Sequence, residues 1–246
     1  VWCWGRNQEG QIGDGSTKDQ LQPIAVKSLA GVTTIAVGDE HACAVQKDGT
    51  AVCWGQNYLG QLGNGATGGT KDGKLETVFG LKDVKAMGAG RRHTCALKID
   101  DSLWCWGGNS YGQLGNGSAT TKLVPTAVKG GKIFKSLPPA VGWDHTCALN
   151  KGGTASCWGG GKNGQIGNGT KASTNAPATV ANLAGAKVIA MGNYHSCVIK
   201  NDGKVSCWGS NSYGQLGDGT KESSAGVRSV LGLSGVLAIA AGQAHT

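Results

Sequence analysis

The chain has 246 residues, of which 44 are Gly, 2 are Met and 2 are Phe. This composition excludes a helical bundle and predicts many short strands joined by tight turns. The net charge of +8 comes from 23 Lys and Arg against 15 Asp and Glu. These charges are spread along the chain, so we interpret them as a solvated surface and do not expect a nucleic acid partner. No apolar run approaches the roughly 20 residues of a membrane helix, so no membrane span is predicted.

Five units, spaced 50 to 52 residues apart, fill the chain and are marked by Trp4, Trp54, Trp106, Trp158 and Trp208. Each Trp is followed by a block reading Gly-Gln-(Ile/Leu)-Gly-(Asp/Asn)-Gly, first seen at Gly10 to Gly15. A variable polar stretch, a short strand such as Val32 to Gly38 and a hairpin complete the unit. Four short strands in about 50 residues are typical of a propeller blade. We therefore predict an all-β propeller of five four-stranded repeats, with residues 1–246 forming a single repeat domain.

The hairpin is clearest at Gly38 to Gly55, where alternating apolar and polar residues flank the loop Lys47-Asp48-Gly49. A three-residue loop with a left-handed last position suits Gly. Its register sets Cys43 opposite Cys53, close enough for a disulfide. In the third unit Asp101 occupies the left-handed position, which Asp tolerates. The same spacing predicts three further disulfides, Cys95 with Cys105, Cys147 with Cys157 and Cys197 with Cys207.

Cysteine usage indicates an oxidising compartment, because paired thiols would serve no covalent purpose in a reducing cytosol. We therefore expect an extracellular or cell-surface protein. Cys3 has no partner in this pattern, so we expect it to be unpaired or to bond outside the sequence or in another molecule.

The repeat is out of phase at the two ends, since the chain opens in the second half of a hairpin at Val1 and stops within a first half at Thr246. Two interpretations remain open. The sequence is a segment of a longer repeat protein, or its first strand completes the last blade, in the same chain or in a neighbour. The second interpretation predicts a larger closed assembly, or a homo-oligomer or polymer joined through blade edges.

Histidine occurs at a single repeat position, as His41, His93, His145, His195 and His245. A His two residues before a Cys shares its face of the strand. We therefore expect each His to pack beside its disulfide, with a ring nitrogen bonded to a turn backbone, and predict no metal site. The five repeated Trp are similarly expected to pack between blades rather than to bind a ligand.

Catalytic groups that occur once and break the repeat are missing from the sequence, and the Gly-rich block lacks the strand-then-helix context of a phosphate-binding loop. We therefore expect no enzymatic activity and no cofactor. Residues that do break the repeat include Arg91, Arg92, Trp143 and Tyr194, which precede the repeated His in their units. They are our candidates for a contact surface.

The motif Gly-x-x-His-(Ser/Thr/Ala)-Cys-Ala, followed by Asp-Gly, Cys-Trp-Gly and the Gly-Gln block, resembles the regulator of chromosome condensation repeat family. The resemblance covers all five units and implies a β-propeller, for which the family usually uses seven blades. The Cys pairs resemble those of secreted, bacterial-looking members. Nucleotide-exchange activity is not expected, because it belongs to loops that the repeat motif does not identify.

Two functions are consistent with these features. The first, which we favour from the sequence, is a non-enzymatic extracellular building block that self-associates into a filament, tube or ring. The alternative is a secreted recognition module that binds a protein or polysaccharide through variable loops, including the irregular stretches Ala66 to Lys74 and Lys129 to Pro139.

Overall fold

The computed structural model describes residues 1–69, 72–130, 134, 135 and 138–246, and every regular element in that part of the chain is a β-strand. Parts of the irregular stretches Ala66 to Lys74 and Lys129 to Pro139 lie outside the described residues. The strands are Trp2–Gly5 (β1), Gln20–Ala25 (β2), Val32–Val37 (β3), His41–Gln46 (β4), Ala51–Gly55 (β5), Glu76–Thr77 (β6), Val84–Ala89 (β7), His93–Lys98 (β8), Leu103–Gly107 (β9), Lys122–Ala127 (β10), Ala140–Val141 (β11), His145–Leu149 (β12), Ala155–Gly159 (β13), Thr174–Thr179 (β14), Ala186–Met191 (β15), His195–Lys200 (β16), Val205–Gly209 (β17) and Ser224–Ser229 (β18).

The strands form separate antiparallel sheets in which neighbours in the chain are neighbours in space. Four sheets have four strands each, β3 to β6, β7 to β10, β11 to β14 and β15 to β18, and β1 pairs with β2 in a two-stranded sheet. These meanders are the blades that the 50-residue period predicts, so the all-β propeller is confirmed.

The first strands of successive blades, β3, β7, β11 and β15, contact one another and are therefore innermost. Because the strands alternate in direction, the turns that follow these inner strands all lie at one end of the axis. We call this end the upper face. The hairpin turns one strand later lie at the other end, the lower face.

The central hairpin of each blade has the register that the sequence predicts. Cys43 lies opposite Cys53, and the equivalent pairs are opposite in the next three blades. Each opposite pair is joined by a disulfide. The left-handed turn position is also confirmed, with φ of 78° at Gly49 and 64° at Asp101.

Neighbouring blades are joined by the repeated Trp and the Gly-Gln block. Trp106 is fully buried and its indole N–H donates to the carbonyl of Gln61 in the preceding unit at 2.9 Å. Trp54, Trp158 and Trp208 make the equivalent bond. The prediction of inter-blade packing does not hold for Trp4, which is 63% exposed.

Reduction of the disulfides should lower the resistance of the folded chain to proteolysis. Each bond closes a loop with a sequence separation of 10, for which chain-entropy models give about 2–3 kcal/mol. The expected result is faster cleavage near the hairpin turns after verified reduction, measured by mass spectrometry of a limited digest. Unchanged cleavage of the fully reduced, alkylated protein would contradict this role.

Candidate binding surface at the propeller axis

The upper-face turns surround a cavity of about 580 Å³ at the axis of the blades. Each turn begins with a Gly and is followed by the repeated His, while the two residues between them differ in every unit. These pairs are Asp39-Glu40, Arg91-Arg92, Trp143-Asp144, Asn193-Tyr194 and Gln243-Ala244. The first residue of each pair lines the cavity, as do Glu40 and Arg92. A constant scaffold therefore presents variable side chains around one cavity, as in many repeat proteins that bind partners.

Backbone contacts between blades hold these turns in place. The amide of Asp39 donates to the carbonyl of Gly90 at 3.4 Å, and the amide of Trp143 donates to Asn193 at 3.3 Å. Each variable pair is preceded by a Gly, because close packing leaves no room for a side chain there. A Cβ at Gly142 would lie 2.6 Å from Cε1 of His145 and 2.9 Å from the carbonyl oxygen of Gly192. The variable side chains are thus mounted on rigid turns.

Three variable side chains from three blades are in direct contact, and we call them the axial cluster: Arg91, Trp143 and Tyr194. The guanidinium carbon of Arg91 lies 4.3 Å from the ring centroid of Trp143. Trp143 and Tyr194 meet edge to face with ring centroids 5.3 Å apart. Both contacts are of kinds that stabilise side chains in fixed orientations. Arg92, the fourth candidate from the sequence, is exposed and lines the same cavity.

Acidic side chains lie beside the axial cluster, and the sequence pattern alone did not indicate them. Burial raises the pKa of the Asp39 carboxyl, an effect that Arg91 and a hydrogen bond from Trp143 oppose. Burial likewise raises the pKa of Asp144, and Arg91 and Arg92 lower it. Glu40 forms an ion pair with Arg6 at 3.3 Å. Their repeat position could have identified them from the sequence, because these acids occupy the same variable pairs that supply Arg91 and Trp143.

The repeated His lie beneath this surface, and one expectation about them is wrong. The ring nitrogen does not bond to a turn backbone. Nε2 of His41 lies 2.8 Å from the hydroxyl of Thr94 in the next blade, and that hydroxyl donates to the carbonyl of Gln61 at 2.7 Å. Since a hydroxyl has one hydrogen, Nε2 must be the donor to it. The same arrangement recurs for the pairs His93 with Thr146, His145 with Ser196 and His195 with Thr246.

Each of these imidazoles is a neutral structural link between blades. Burial lowers the pKa of His41 to about 4 and those of His93 and His145 to about 3. Nδ1 of each ring is buried without a hydrogen-bond partner among the described residues. His245 differs because it is exposed. No group of three His, Cys, Asp or Glu in the described part of the chain is placed to hold a metal ion.

Cys3 is a free, half-buried thiol in the described structure. Burial raises its pKa, which disfavours the reactive thiolate at neutral pH. The described residues include no helix long and apolar enough to cross a membrane.

Comparison with known proteins places the chain in a family. The sequence profile described as "RCC1-like domain" matches residues 1–246. The chain belongs to the RCC1-like domain family. It is 35% identical over 175 residues to the ultraviolet-B receptor UVR8 of Arabidopsis thaliana, covering 69% of this chain and 39% of the receptor. It is 34% identical over 195 residues to the human E3 ubiquitin-protein ligase HERC2, covering 78% of this chain and 4% of the ligase.

Solved structures with this fold include yeast RCC1 (Prp20) bound to Kap60, with a TM-score of 0.84 and 23% identity over 98% of this chain and 60% of that one. Human WBSCR16 has a TM-score of 0.85 at 23% identity, covering 99% of this chain and 65% of that one. The RCC1-like chain spans less than two thirds of the length of each of these proteins. At this identity the structural likeness establishes the fold alone.

The relatives named here are eukaryotic, so they give no support to a bacterial-looking member. The match covers only 4% of the length of the ligase, so the match does not assign the ligase activity to the shared region. At the level that the family supports, this chain is an RCC1-like propeller whose relatives include a receptor and an E3 ubiquitin-protein ligase.

Proposed function

We propose that this RCC1-like chain is a recognition propeller that binds a partner protein through the axial cluster. The observation that carries the proposal is the contact of Arg91, Trp143 and Tyr194 from three different blades. Arg91 and Trp143 line the axial cavity, and Tyr194 supports the Trp143 ring from the side. These are the residue types that contribute most to binding energy in protein interfaces. Their repeat positions hold other residues in the remaining blades, so the scaffold does not need them there.

The geometry suits a protein partner with charged and apolar groups side by side. Arg91 and Trp143 are oriented before binding by their contact, so less side-chain entropy is lost on association. Asp39, Glu40 and Asp144 add negative charge beside two Arg, which favours a partner with complementary charges over a uniformly charged polymer. Yeast Prp20, which shares the fold, is described as binding Kap60, Gsp1p and histones, and this supports protein binding as a use of the fold.

Replacing Trp143 with Ala should weaken binding of the partner by about 30-fold or more, the loss typical of a central interface aromatic. The partner would be isolated on the immobilised wild-type chain, purified and titrated by calorimetry against each variant. Arg91→Ala should cause a loss of similar order, because it removes both a charge and the cation over the Trp143 ring.

Tyr58→Ala is the matched control, since Tyr58 is an exposed aromatic that lies outside the cavity lining. It should leave the affinity within about twofold, as surface substitutions away from an interface do. Equal affinity of the purified partner for wild-type and Trp143→Ala protein, with both variants folded by circular dichroism, would refute the proposal.

An extracellular location and self-association stay as finer predictions. The disulfides support an oxidising compartment. Differential alkylation of protein from its native source would test this, because reduced thiols at Cys43 and Cys53 would contradict it. Sedimentation of the unreduced protein separates the two functions, since a discrete particle favours recognition and large particles favour assembly.

A further inference from the structure

A second cavity, of about 860 Å³, lies on the lower face beside the hairpin turn Lys151-Gly152-Gly153. We call it the lower-face cavity. Its polar side chains are cationic or neutral, and its described lining contains no Asp or Glu. The polar lining residues are Lys135, Lys151, Lys187, Asn150 and Asn201. A concave surface with charges of one sign concentrates the electrostatic field and attracts ions of the opposite sign.

The hairpin turn beside this cavity departs from the repeat, because it lacks a carboxylate. In the other hairpin turns the middle position is Asp, whose carboxylate accepts the amide N–H two residues on. Asp48 accepts from Thr50 at 3.0 Å, and Asp100 and Asp202 make the equivalent bonds. Gly152 occupies this position beside the lower-face cavity. The turn therefore retains its shape and lacks the carboxylate.

The lysines differ in how far their charge is neutralised. Nζ of Lys151 lies 2.9 Å from Asp101, which is also 3.9 Å from Lys85. Lys135 and Lys187 are exposed, and neither forms an ion pair with the described residues. Two uncompensated ammonium groups thus line one concave site.

We propose that the lower-face cavity binds an anionic sugar segment, with its sulfate or carboxylate groups at Lys135 and Lys187. The cavity volume is within the range of small-ligand sites. The described lining contains no aromatic side chain and no Arg, although proteins that bind single-stranded nucleic acid use aromatic residues to stack bases. Lysine binds sulfate and carboxylate as a point charge and needs no stacking partner. The side-chain amide of Asn201 lies in the same lining, where it would form hydrogen bonds with the sugar hydroxyls.

Gly152→Asp tests this site with little risk to the fold. A Cβ at Gly152 meets no atom within 4 Å, and its φ lies outside the left-handed region. The new carboxylate would accept the amide of Thr154, as Asp48 does from Thr50. Gly152→Asn offers the same hydrogen bond without the charge, so the two variants differ in charge alone.

Affinity would be measured by fluorescence anisotropy with a labelled, sulfated tetrasaccharide at low salt. We expect Gly152→Asp and Lys187→Gln each to weaken binding about fivefold, as expected for one charge near the site in partly screened solvent. Gly152→Asn should change the affinity by less than about twofold. Lys171→Gln, at an exposed site away from the cavity, should have no effect.

Three results would overturn the inference. They are equal losses for Gly152→Asp and Gly152→Asn, equal affinity for an unsulfated tetrasaccharide, and tighter binding of a single-stranded oligonucleotide. Trp143→Ala should leave the sugar affinity unchanged, because Trp143 belongs to the upper face. Failure of sugar binding is therefore distinguishable from failure of the axial cluster.

Discussion

Acidification to about pH 5 should greatly reduce the free energy of unfolding. His41, His93 and His145 are fully buried, and burial holds their pKa values at about 4, about 3 and about 3. In the unfolded chain the same groups titrate near pH 6.5. The unfolded state therefore binds more protons below pH 6.5, and stability falls as the pH falls from there toward the folded-state values. At about pH 5 each His contributes a loss of about 2 kcal/mol, at 1.36 kcal/mol per pH unit.

Carboxylates do not produce this change in the same pH range. Burial acts to raise the pKa values of Asp14 and Asp218, but their hydrogen bonds together outweigh it, so both pKa values are lowered in the folded chain. Their contribution to stability is therefore lost only below their ordinary pKa. Burial raises the pKa of Asp39 and Asp144. Their protonation therefore favours the folded state as the pH falls and opposes the His effect. We therefore attribute the net loss of unfolding free energy between about pH 6.5 and about pH 5 to the buried His side chains.

Urea unfolding at a series of pH values measures this loss, and His93→Gln provides the control. The Gln amide can donate to the Thr146 hydroxyl that now accepts from His93, but it carries no titratable group. The variant should lose about 2 kcal/mol less than wild type over the same pH interval. Identical pH dependence would contradict the linkage. If the variant does not fold, NMR of wild-type imidazole protons gives an independent test, since a buried His titrating near pH 6.5 in the folded state would also refute it.

The local features of this fold were predictable from the sequence, whereas the contacts between blades were not. Cys43 and Cys53 are ten residues apart in one hairpin, so the turn residues alone set their register. His41 and Thr94 are 53 residues apart, and their bond depends on the offset between two blades, which no local pattern specifies. The expectation of a turn-backbone partner failed for that reason.

The candidate surface was predictable in part, for the same physical reason. Arg91, Trp143 and Tyr194 were identified because they break the repeat. The upper-face turns then bring these three side chains into contact. Asp39 and Asp144 were missed because acids in turns are ordinary in a sequence. Asp39 and Asp144 become part of the candidate surface only because the fold places them beside Arg91. The lower-face cavity was equally hidden, since Gly152 is an unremarkable turn residue until the other blades show Asp in its place.

Trp106→Ala should destabilise the chain by about 3–5 kcal/mol, the range for removing a large buried aromatic. The ring lies in a buried cluster with Leu62 and Met87, so its removal leaves a cavity between two blades. The substitution also removes one of two donors to the Gln61 carbonyl, and Thr94 remains as the other. Urea unfolding followed by circular dichroism measures the loss.

Two further substitutions separate the packing term from the hydrogen bond. Trp106→Phe keeps most of the apolar contact and lacks the indole N–H, so we expect a loss of about 1–2 kcal/mol. Trp2→Ala removes a ring that is 65% exposed and should change stability by less than about 0.5 kcal/mol.

Because stability in repeat proteins depends on nearest-neighbour interfaces, hydrogen exchange in Trp106→Ala should accelerate most in β5 and β9, which adjoin the lost contact. Uniform acceleration across all blades would show that the sheets unfold as one unit and that Trp106 does not couple two separable blades.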